Sequence, residues 1–586
     1  MKKPTAVFDI ECYKNYFLIS FLDVDTGIIT SFERRENVHF DFVGVKKQID
    51  KYKLVGFNCE KYDVLMLSAA MKGKKNLKEV SDSIINFRLM PWDFEDRYDI
   101  KPLKLDMIDL IEVAPGIASL KTYGARLHSR TLWDLPYDIE TMLTDEEMDT
   151  VREYCSNDLQ TTLDLYKFIQ PQLKLREDMS LTYGLDLRSK SDAQIAEAVI
   201  KKLLKDEHKI DAKRPKLNND YTFQYKAPKY LQGKLDGLVK NIEALTFCLN
   251  DTGGVEMPEY LKNKIVTIGN GKYRMGIGGL HSSEKCVSIV PTEDQFLLDR
   301  DVASYYPSLI INNGYYPEHL GEPFLHIYKK IYDERLKAKH EGNKVEADVK
   351  KILLNAVFGK LGSKWSIFYS PEMLAQITLT GQLCLLWLIE GLHNIGVETV
   401  SANTDGIVLF ADKSKYAEMT RIIAKWEKLT NLVTEETPYR AIHNRDVNTY
   451  INVKANGKTK TKGAYALDGL AKNPHGDIAT IAVIEYLTHG TEIIDTIREC
   501  KDIRKFLFAR KVTTGASKNG VPLGKVVRWY YATNETTPIT YTKNGNKVPE
   551  SDGGKPLMTL PDTFPDDVDY QRYVDISMKT LKLIGV

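Results

Sequence analysis

The sequence predicts a multidomain protein of mixed α/β and α+β class. At 586 residues the chain has room for several domains, each with a core large enough to be stable. Short apolar segments typical of strands, such as residues 6–8 and 296–298, stand far apart, and longer segments with helical periodicity lie between them. The chain shows no internal repeat and no low-complexity tract. Strands and helices in several separate regions are typical of these two fold classes.

Charge and cysteine content narrow the class of protein. Lys and Arg total 81 against 80 for Asp and Glu, so this is not a globally basic nucleic-acid-binding protein. Two segments are locally basic, residues 454–462 and 498–528, and in a DNA-binding protein they would follow a phosphate backbone. A solvated charged face explains either segment alone. Seven cysteines without a Cys-x-x-Cys pair argue against a zinc site and a disulfide framework.

No targeting segment is predicted. The chain begins Met-Lys-Lys-Pro and continues into a strand instead of an apolar signal segment. No apolar run approaches the ~18 residues of a membrane span. We therefore expect a monomer in a reducing compartment, the cytoplasm, without contact to a membrane.

Acidic and aromatic residues in the N-terminal third predict a metal site. Strand alternation after residues 6–8 puts Asp9 and Glu11 on one face. A helix is predicted over about 145–165, where Tyr154 and Asp158 are four residues apart and share a side. With Asp63, these carboxylates could hold two Mg²⁺ or Mn²⁺ ions about 4 Å apart. Each fragment alone is common on a solvated surface, and it is their order along the chain that indicates hydrolysis.

A second pair of carboxylates lies in the middle of the chain. Asp301 follows the strand predicted at residues 296–298. Asp405 stands before Gly406 in a hairpin turn predicted between residues 397–402 and 407–410. Two carboxylates from distant strands suit two-metal nucleotidyl transfer, in which oxygen ligands hold Mg²⁺.

Two helices predicted between these carboxylates carry cations. In the first, over residues 325–340, Arg335 and Lys339 are four residues apart. In the second, over residues 345–359, one side carries Lys351, Asn355 and Phe358. Facing basic stripes can clamp a triphosphate, although a solvated face explains either helix alone.

These segments resemble the motifs of family B DNA polymerases. Residues 301–308 (DVASYYPS) resemble the palm motif Asp-x-x-Ser-Leu-Tyr-Pro-Ser, residues 351–359 the fingers motif Lys-x-x-x-Asn-x-x-Tyr-Gly, and residues 403–406 the palm hairpin. Residues 8–11, 58–63 and 154–158 resemble the three exonuclease motifs of the same family. The resemblance runs through the whole chain and implies an RNase H-like exonuclease domain and a right-hand polymerase with palm, fingers and thumb.

The resemblance also implies domain boundaries. The expected order is an exonuclease domain at 1–175, a connecting region at 176–290, a palm at 291–325 and 366–452, fingers at 326–365, and a thumb with the C-terminal region at 453–586.

Roles for individual residues follow from the same resemblance. The implied catalytic residues are Asp301 and Asp405 for polymerisation and Asp9, Glu11, Asp63, Tyr154 and Asp158 for the exonuclease. Each site would hold two Mg²⁺ or Mn²⁺ ions, with ligands from Asp301, the Val302 carbonyl, Asp405, Asp9, Glu11, Asp63 and Asp158. The implied nucleotide-binding residues are Tyr306, which would exclude a 2′-OH, and Arg335, Lys339, Lys351, Asn355 and Phe358. The implied DNA-binding residues are Asn58, Ser119, Gly278, Gly279, Thr378, Tyr450 and Lys462. Asp299 receives no role.

Several positions depart from the family's motifs. The substituted positions are Asn403 for an Asp, Gly406 for a Ser, Ser401 for a Tyr, Gly276 for the Tyr of Tyr-x-Gly-Gly, Gln382 for the Arg of Thr-x-x-Gly-Arg and Asn448 for the Lys of Lys-x-Tyr. They mark a divergent, viral branch. They also leave two alternatives open: an exonuclease whose polymerase half is a degenerate DNA-binding platform, and a non-catalytic replication scaffold.

The predicted function is therefore template-directed DNA synthesis with proofreading, in the replication of a phage genome. The short gaps from residue 301 to 351 and from 359 to 378 have no space for the insertions of terminal-protein-primed members. The expected partners are primer–template DNA and dNTPs. A helicase, primase, single-strand-binding protein or clamp would supply strand displacement and processivity.

Overall fold

The computed structural model describes residues 3–36, 38–218, 220–467 and 469–586. Over these residues the chain forms several sheets, each packed with helices, so the predicted multidomain α/β and α+β class is confirmed. The elements up to residue 191 are β1 (Thr5–Cys12), β2 (Phe17–Asp23), β3 (Ile29–Arg34), α1 (Phe42–Lys51), β4 (Lys53–Gly56), α2 (Asp63–Met71), α3 (Leu77–Phe87), α4 (Pro91–Tyr98), β5 (Met107–Asp109), α5 (Leu120–Arg126), α6 (Asp145–Phe168) and α7 (Gln170–Tyr183).

The middle of the chain, up to residue 467, contains most of the remaining elements. They are α8 (Asp192–His208), β6 (Thr222–Gln224), α9 (Leu238–Glu243), β7 (Thr246–Leu249), β8 (Val255–Glu256), α10 (Glu259–Asn263), β9 (Ile265–Ile268), β10 (Gly271–Arg274), β11 (His281–Ser282), β12 (Lys285–Ile289), β13 (Gln295–Val302), α11 (Tyr305–Asn313), α12 (Gly321–His340), α13 (Lys344–Lys360), α14 (Pro371–His393), β14 (Glu398–Asn403), β15 (Gly406–Asp412), α15 (Tyr416–Thr430), β16 (Thr434–Asp446), β17 (Thr449–Lys454) and β18 (Thr459–Lys462).

The C-terminal part completes the fold with α16 (Asp477–His489), α17 (Ile493–Glu499), β19 (Phe508–Lys518), β20 (Val521–Tyr531), β21 (Thr540–Tyr541), β22 (Gly554–Pro556) and α18 (Tyr570–Leu583). The helices predicted over 145–165, 325–340 and 345–359 are present as α6, α12 and α13, each a few residues longer than predicted.

The chain divides into two compact units. Unit 1 comprises Met1–Ser191, Asp468–Ala479 and Ile494–Val574, and unit 2 comprises Asp192–Leu467, Thr480–Ile493 and Asp575–Val586. The range 1–175 expected for an exonuclease domain lies within unit 1. The range 453–586, expected to be one region, contributes to both units.

Unit 1 is built on a mixed sheet with the strand order β3-β2-β1-β4-β5. Strand β1 is antiparallel to β2 and parallel to β4, and β4 is parallel to β5, which is the order of an RNase H-like sheet. Phe8 and Ile10 of β1 pack in the core with α2 and α3, whereas Val7 packs with residues of α6 on the opposite face. Because side chains alternate along a strand, Asp9 and Glu11 lie on the α6 face.

The hairpin β19–β20 also belongs to unit 1 and packs against α5. Arg528 of β20 is fully buried and donates hydrogen bonds to the carbonyls of Ser129, Arg130, Leu557 and Met558. Burial lowers the pKa of Arg528 to about 10. Lys518 is buried as well and pairs with Glu535. The expectation that the whole basic segment 498–528 follows a DNA backbone is therefore wrong for these two residues, which are structural.

The large sheet of unit 2 has the order β18-β17-β16-β13-β15-β14-β11-β10-β9, and β12 pairs with β16. Strand β13, the segment predicted at residues 296–298, lies between β15 and β16, so Asp301 at its end has a neighbour on each side.

Helix α14 of unit 2 has the length and mean hydropathy of a membrane span. The sequence expectation that no segment has this character is therefore wrong. Of its most apolar window, 78% is buried inside the protein, so α14 is a core helix.

Candidate active sites

Unit 2 brings Asp301 and Asp405 together at the end of two paired strands. Asp301 on β13 lies opposite Gly406 on β15, and the Val302 N–H donates to the Asp405 carbonyl at 2.8 Å. Both carboxylates line a cavity of about 340 Å³. This cavity is named the unit 2 site, and its wall also contains Asp299, Asn403, Tyr439, Tyr450, Lys460 and Lys462.

The hairpin carrying Asp405 is present as predicted, but its turn is shifted by one residue. Asn403 pairs with Gly406, so the two turn residues are Thr404 and Asp405 instead of Asp405 and Gly406. Thr404 takes the left-handed conformation, with φ +62°. The Thr404 N–H donates to the Leu280 carbonyl at 2.8 Å, which ties the turn to the loop before β11.

A glycine is required at position 406 because the Asp301 carboxylate, on the paired strand β13, occupies the adjacent space. A Cβ at this position would lie 1.9 Å from Oδ1 of Asp301. The Asp301 carboxylate thus occupies the space that a serine side chain at this position would fill.

Lys460 and Asp299 belong to this site, although the sequence assigned no role to Asp299 and placed Lys460 only in a locally basic segment. The Lys460 Nζ lies 3.0 Å from Oδ2 of Asp299 and 3.8 Å from Oδ2 of Asp301. Asp299 is buried and also accepts a hydrogen bond from the Tyr439 hydroxyl at 2.9 Å. The sequence placed Lys460 in a surface cluster, although its alternation with Lys462 in Lys-Thr-Lys could have indicated one common face.

The charges around Asp301 oppose one another. Burial, followed by the carboxylate of Asp299, raises the pKa of Asp301 to about 6, while Lys460 acts to lower it. Burial disfavours the charged form of Lys460, but the carboxylates of Asp299 and Asp301 outweigh this and raise the pKa of Lys460. Burial also raises the pKa of Asp405. The carboxylates of the unit 2 site therefore carry more negative charge than the single ammonium group of Lys460 compensates.

Two departures from the family motifs contact each other. Asn403 donates to the Val447 carbonyl at 2.8 Å and to Oδ1 of Asn448 at 3.3 Å. At these positions the motifs have an Asp and a Lys, which carry opposite charges. The neutral pair removes one charge of each sign and keeps a link between the hairpin and the β16–β17 turn.

Gln382 and Gly276, which also depart from the motifs, are hydrogen-bonded to each other. The Gln382 amide accepts from the Gly276 N–H at 2.8 Å and donates to the Gly276 carbonyl at 2.7 Å. An arginine has no acceptor and could not make the first bond. Gln382 therefore holds the Gly276–Gly279 loop, and a Cβ at Gly279 would lie 2.9 Å from Oγ1 of Thr404.

Tyr306 and Phe358, two predicted nucleotide-binding residues, stack on each other. Their ring centroids are 3.9 Å apart with an interplanar angle of 15°. The Tyr306 hydroxyl donates to the Gly278 carbonyl at 2.5 Å. α11, α13 and the Gly276–Gly279 loop thus meet at one aromatic pair.

The predicted phosphate-binding cations differ in their surroundings. Arg335 is buried and donates to the Ser304 hydroxyl, but its Nε has no hydrogen-bond partner among the described residues. Lys351 and Asn355 are exposed on α13. Lys339 is exposed and lies 4.0 Å from Glu435. A buried guanidinium with an unused donor is suited to an anion.

The predicted DNA-binding residues of unit 2 are also distributed unevenly. Tyr450 and Lys462 are cross-strand partners on β17 and β18, and both line the unit 2 site. Thr378 is fully buried in α14, and its hydroxyl donates to the Leu374 carbonyl. Its side chain therefore offers no surface to DNA in this structure, whereas Tyr450, Lys462 and the exposed Gly278 do.

The unit 1 site is a cluster of carboxylates between β1 and α6. Ligand atoms of Asp9, Glu11 and Cys155 lie within 4.8 Å of one another. Burial, and then Asp158, raise the pKa of Asp9 to about 7. Burial and Asp9 likewise raise the pKa of Glu11 and the pKa of Asp63. Predicted ligands from β1, α2 and α6 therefore interact with one another.

Lys121 is a cation of this site that the sequence did not indicate. It forms an ion pair with Asp158, and its Nζ lies 4.2 Å from the ring centroid of Tyr154. Burial raises the pKa of Asp158, whereas Lys121 acts to lower it. Ser119, predicted to touch DNA, caps α5 through the Thr122 N–H at 3.3 Å, so it orients the helix that carries Lys121.

Asp109 at the end of β5 is a second missed residue. It is buried and accepts from the N–H groups of Asn58 at 2.8 Å and Glu60 at 3.0 Å. Asn58 has φ +58°. Asp109 thus holds the loop that leads into α2 and positions Asp63 at the start of that helix.

Both sites have donor sets that suit divalent cations. In unit 1, Oδ1 of Asp63 is buried without a hydrogen-bond partner among the described residues, and the neighbouring carboxylates repel one another. Carboxylate oxygens are the ligands that Mg²⁺ and Mn²⁺ prefer. A bound cation would compensate these charges, and Asp9, Glu11, Asp63 and Asp158 would hold it. In unit 2 the corresponding ligands would be Asp301 and Asp405.

Comparisons with known proteins give a partial similarity. No family model matches the chain. A segment of 195 residues is 25% identical to "DNA polymerase 2" of Aeropyrum pernix, and it covers 31% of this chain and 23% of that polymerase. A solved family B DNA polymerase from Pyrobaculum calidifontis aligns with 100% of this chain and 78% of its own, at 13% identity and a TM-score of 0.43. The chain thus matches about a quarter of the length of its curated relative.

Proposed function

We propose that the protein is a DNA-directed DNA polymerase with a 3′→5′ exonuclease. The observation that carries the proposal is the presence of two separate carboxylate sites. The hairpin turn of the unit 2 site is bonded to the Leu280 carbonyl, and the preceding Gly278 carbonyl holds Tyr306, which stacks on Phe358. The segment similar to an archaeal DNA polymerase supports the same assignment. Unit 1 would contain the exonuclease, and unit 2 would contain the palm and the fingers.

In unit 2, Asp301 and Asp405 would hold the cations that activate the primer hydroxyl and neutralise charge on the triphosphate. Arg335, with its unused donor, and the exposed Lys351 would bind phosphate oxygens. Tyr306 is held by the Gly278 carbonyl, so its ring would be a fixed floor under the sugar and would exclude a 2′-OH. Phe358 would move from this ring when a nucleotide enters.

In unit 1, the carboxylates would hold cations that activate water and stabilise the leaving 3′ oxygen. Tyr154 stands beside Asp158, and its hydroxyl would orient the water. Lys121 would leave Asp158 when a cation binds, because both compete for the same carboxylate.

We expect Gly406→Ala to lower primer extension by about 10²-fold, because the new Cβ displaces the Asp301 carboxylate by roughly an ångström. The displaced group is the end of a side chain, so the melting temperature should change little. Single-turnover extension is the measurement. Gly391→Ala is the matched control, since its Cβ would make an ordinary 3.5 Å contact. Equal rates for both variants would show that the Asp301 position is unimportant.

We expect Lys460→Met to lower extension by about tenfold and to shift the acid limb of its pH–rate profile to higher pH. Lys460 lowers the pKa of Asp301, so its removal raises that pKa, and more alkaline solution is needed to ionise the carboxylate. The profile is measured from pH 5 to 9, a window of about four units around neutrality. Lys458→Met, at an exposed loop position directly before the same strand, should leave it unchanged. An unshifted profile for Lys460→Met would assign this lysine a structural role.

The proposed function is tested with a labelled primer–template, Mg²⁺ and the purified protein, with and without the four dNTPs. Extension with dNTPs and stepwise shortening without them is the expected result. Shortening in both reactions would favour the second candidate, a nuclease with a degenerate polymerase half, to which the neutral Asn403–Asn448 pair gives some support. If the protein neither extends nor shortens the primer under either condition, both candidate functions are contradicted. Extension through a nicked duplex by the protein alone would contradict the expected dependence on a helicase.

A further inference from the structure

A basic cavity with an exposed tryptophan lies in unit 2, at the C-terminal end of α13. Its volume is about 620 Å³. The wall is formed by Lys201 of α8 and by residues of three loops, 212–217, 249–253 and 364–369. The loop 364–369 follows within four residues of the end of α13, the helix that carries Lys351, Asn355 and Phe358.

Trp365 is the principal apolar group of this cavity. Its side chain is 70% exposed, an unusual position for a large aromatic ring. The Arg214 guanidinium lies 5.9 Å and the Lys364 Nζ 5.5 Å from the ring centroid. An indole flanked by cations and open to solvent is a stacking surface for a flat, electron-rich ring that brings negative charge with it.

The charge of the cavity is strongly positive. Five cationic side chains line it, Lys201, Lys213, Arg214, Lys216 and Lys364, against one carboxylate, Asp251. Lys213 pairs with Asp211 at 3.5 Å. Within the described part of the chain, no carboxylate lies within 4.0 Å of the other four cations. Unpaired cations gathered around one cavity attract a polyanion.

The cavity wall is well ordered by its own hydrogen bonds. The Tyr369 hydroxyl donates to the Gly253 carbonyl at 2.6 Å, and Gly253 has φ +83°. The Asn250 side chain accepts from the N–H groups of Thr252 and Gly254, each at 3.0 Å. These bonds fix the loop that faces Trp365, so the cavity is preformed for a ligand.

We propose that this cavity binds single-stranded nucleic acid, and that its ligand is the unpaired template strand ahead of the unit 2 site. An aromatic platform among backbone-binding cations is the arrangement that recognises unstacked bases without sequence preference. A duplex has no unstacked bases, so Trp365 discriminates in favour of a single strand. The assignment to the template strand rests on the proposed polymerase function.

The test uses the full-length protein with a chelator, which prevents digestion, and fluorescence anisotropy of labelled DNA. The ligands are a primer–template with a 5′ overhang of about eight nucleotides, the same duplex with blunt ends, and a free oligonucleotide. Trp365→Ala is compared with Trp92→Ala, which removes a 61% exposed tryptophan from α4 of unit 1. We expect Trp365→Ala to weaken binding of the overhang substrate and of the free oligonucleotide about fivefold or more, and binding of the blunt duplex by less than about twofold. Trp92→Ala should change none of the three.

The cations are tested by the salt dependence of the same binding. The double variant Lys216→Ala/Lys364→Ala should reduce the slope of log Kd against log salt by about 1.4 for the overhang substrate, since two phosphate contacts are lost. Lys425→Ala, an exposed lysine of α15, is the control and should leave the slope unchanged.

Several results would overturn the proposal. Wild-type affinity of Trp365→Ala for the overhang substrate would show that the cavity does not hold the template. An equal loss on the blunt duplex would exclude a preference for single strands. A loss confined to the free oligonucleotide would overturn the template assignment. Failure of the wild type to extend any primer would contradict the proposed function, whereas the binding comparison would still decide whether the cavity takes a single strand.

Discussion

Replacing Asp405 with asparagine is expected to lower primer extension by about 10³-fold, which corresponds to a loss of about 4 kcal/mol of transition-state stabilisation. The amide keeps the size of the side chain but cannot balance the charge of a cation. The turn itself should survive, because it is held by backbone bonds from Val302 N–H to the Asp405 carbonyl and from Thr404 N–H to the Leu280 carbonyl. The measurement is single-turnover incorporation of one nucleotide with saturating Mg²⁺.

Asp412→Asn is the matched control for this prediction. Asp412 ends the same strand, β15, and is exposed at the end opposite to Gly406. It should retain the wild-type rate of extension, and both variants should retain primer shortening without dNTPs. More than about a tenth of the wild-type extension rate in Asp405→Asn would contradict the assignment of the metal ligand, because that loss is only ~1.4 kcal/mol.

The double variant Asp9→Asn/Glu11→Gln is expected to lower primer shortening by about 10³-fold and to leave extension unchanged. The two carboxylates lie on one face of β1, and their ligand atoms lie within 4.8 Å of each other in the unit 1 site. Shortening is measured without dNTPs under single-turnover conditions. Asp149→Asn, an exposed position of α6, should shorten the primer at the wild-type rate. Unchanged shortening in the double variant would show that the nuclease site lies elsewhere.

In the presence of a chelator, the same variant should also differ from the wild type in how its free energy of unfolding depends on pH. The pKa of Asp9 is raised from 3.8 to about 7, so between these values the native state binds more protons than the unfolded state. The free energy of unfolding of the wild type should therefore fall as the pH rises through this window, by roughly 1 to 3 kcal/mol. Asp9→Asn/Glu11→Gln should show a smaller fall. Thermal or urea unfolding at several pH values measures the difference.

The sequence predicts the strands and helices that carry the main candidates because their periodicity is strong. Alternation places Asp9 and Glu11 on one face of β1, and helical spacing places Tyr154 and Asp158 on one side of α6, as the structure also has them. The position of the turn at Thr404–Asp405, one residue earlier than expected, was not predictable in this way. The backbone bonds that hold it come from Val302 and Leu280, which lie more than a hundred residues earlier in the chain.

The partners of these residues could not be predicted for a similar reason. Lys121, Asp109 and Lys460 each act through a carboxylate or a backbone group that is distant in sequence, and no local pattern marks such a pairing. Arg528 and Lys518 are the opposite case, in which a local sequence pattern is present but indicates the wrong role. A count of charges indicates a basic surface, but only the packing of β19 and β20 shows that their cations satisfy buried carbonyls or pair with Glu535.

The three-part construction of unit 1 has a consequence for protein engineering. The α5–α6 region contributes Lys121 and Asp158, while Arg528 from the distant β20 binds the carbonyls of Ser129 and Arg130 directly after α5. A gene fragment that ends near residue 191 would lose this guanidinium and leave those carbonyls without their donor. Unit 1 is therefore not a segment that a single cut can excise or graft onto another protein. Recombination at that boundary would be expected to yield chains that fold poorly.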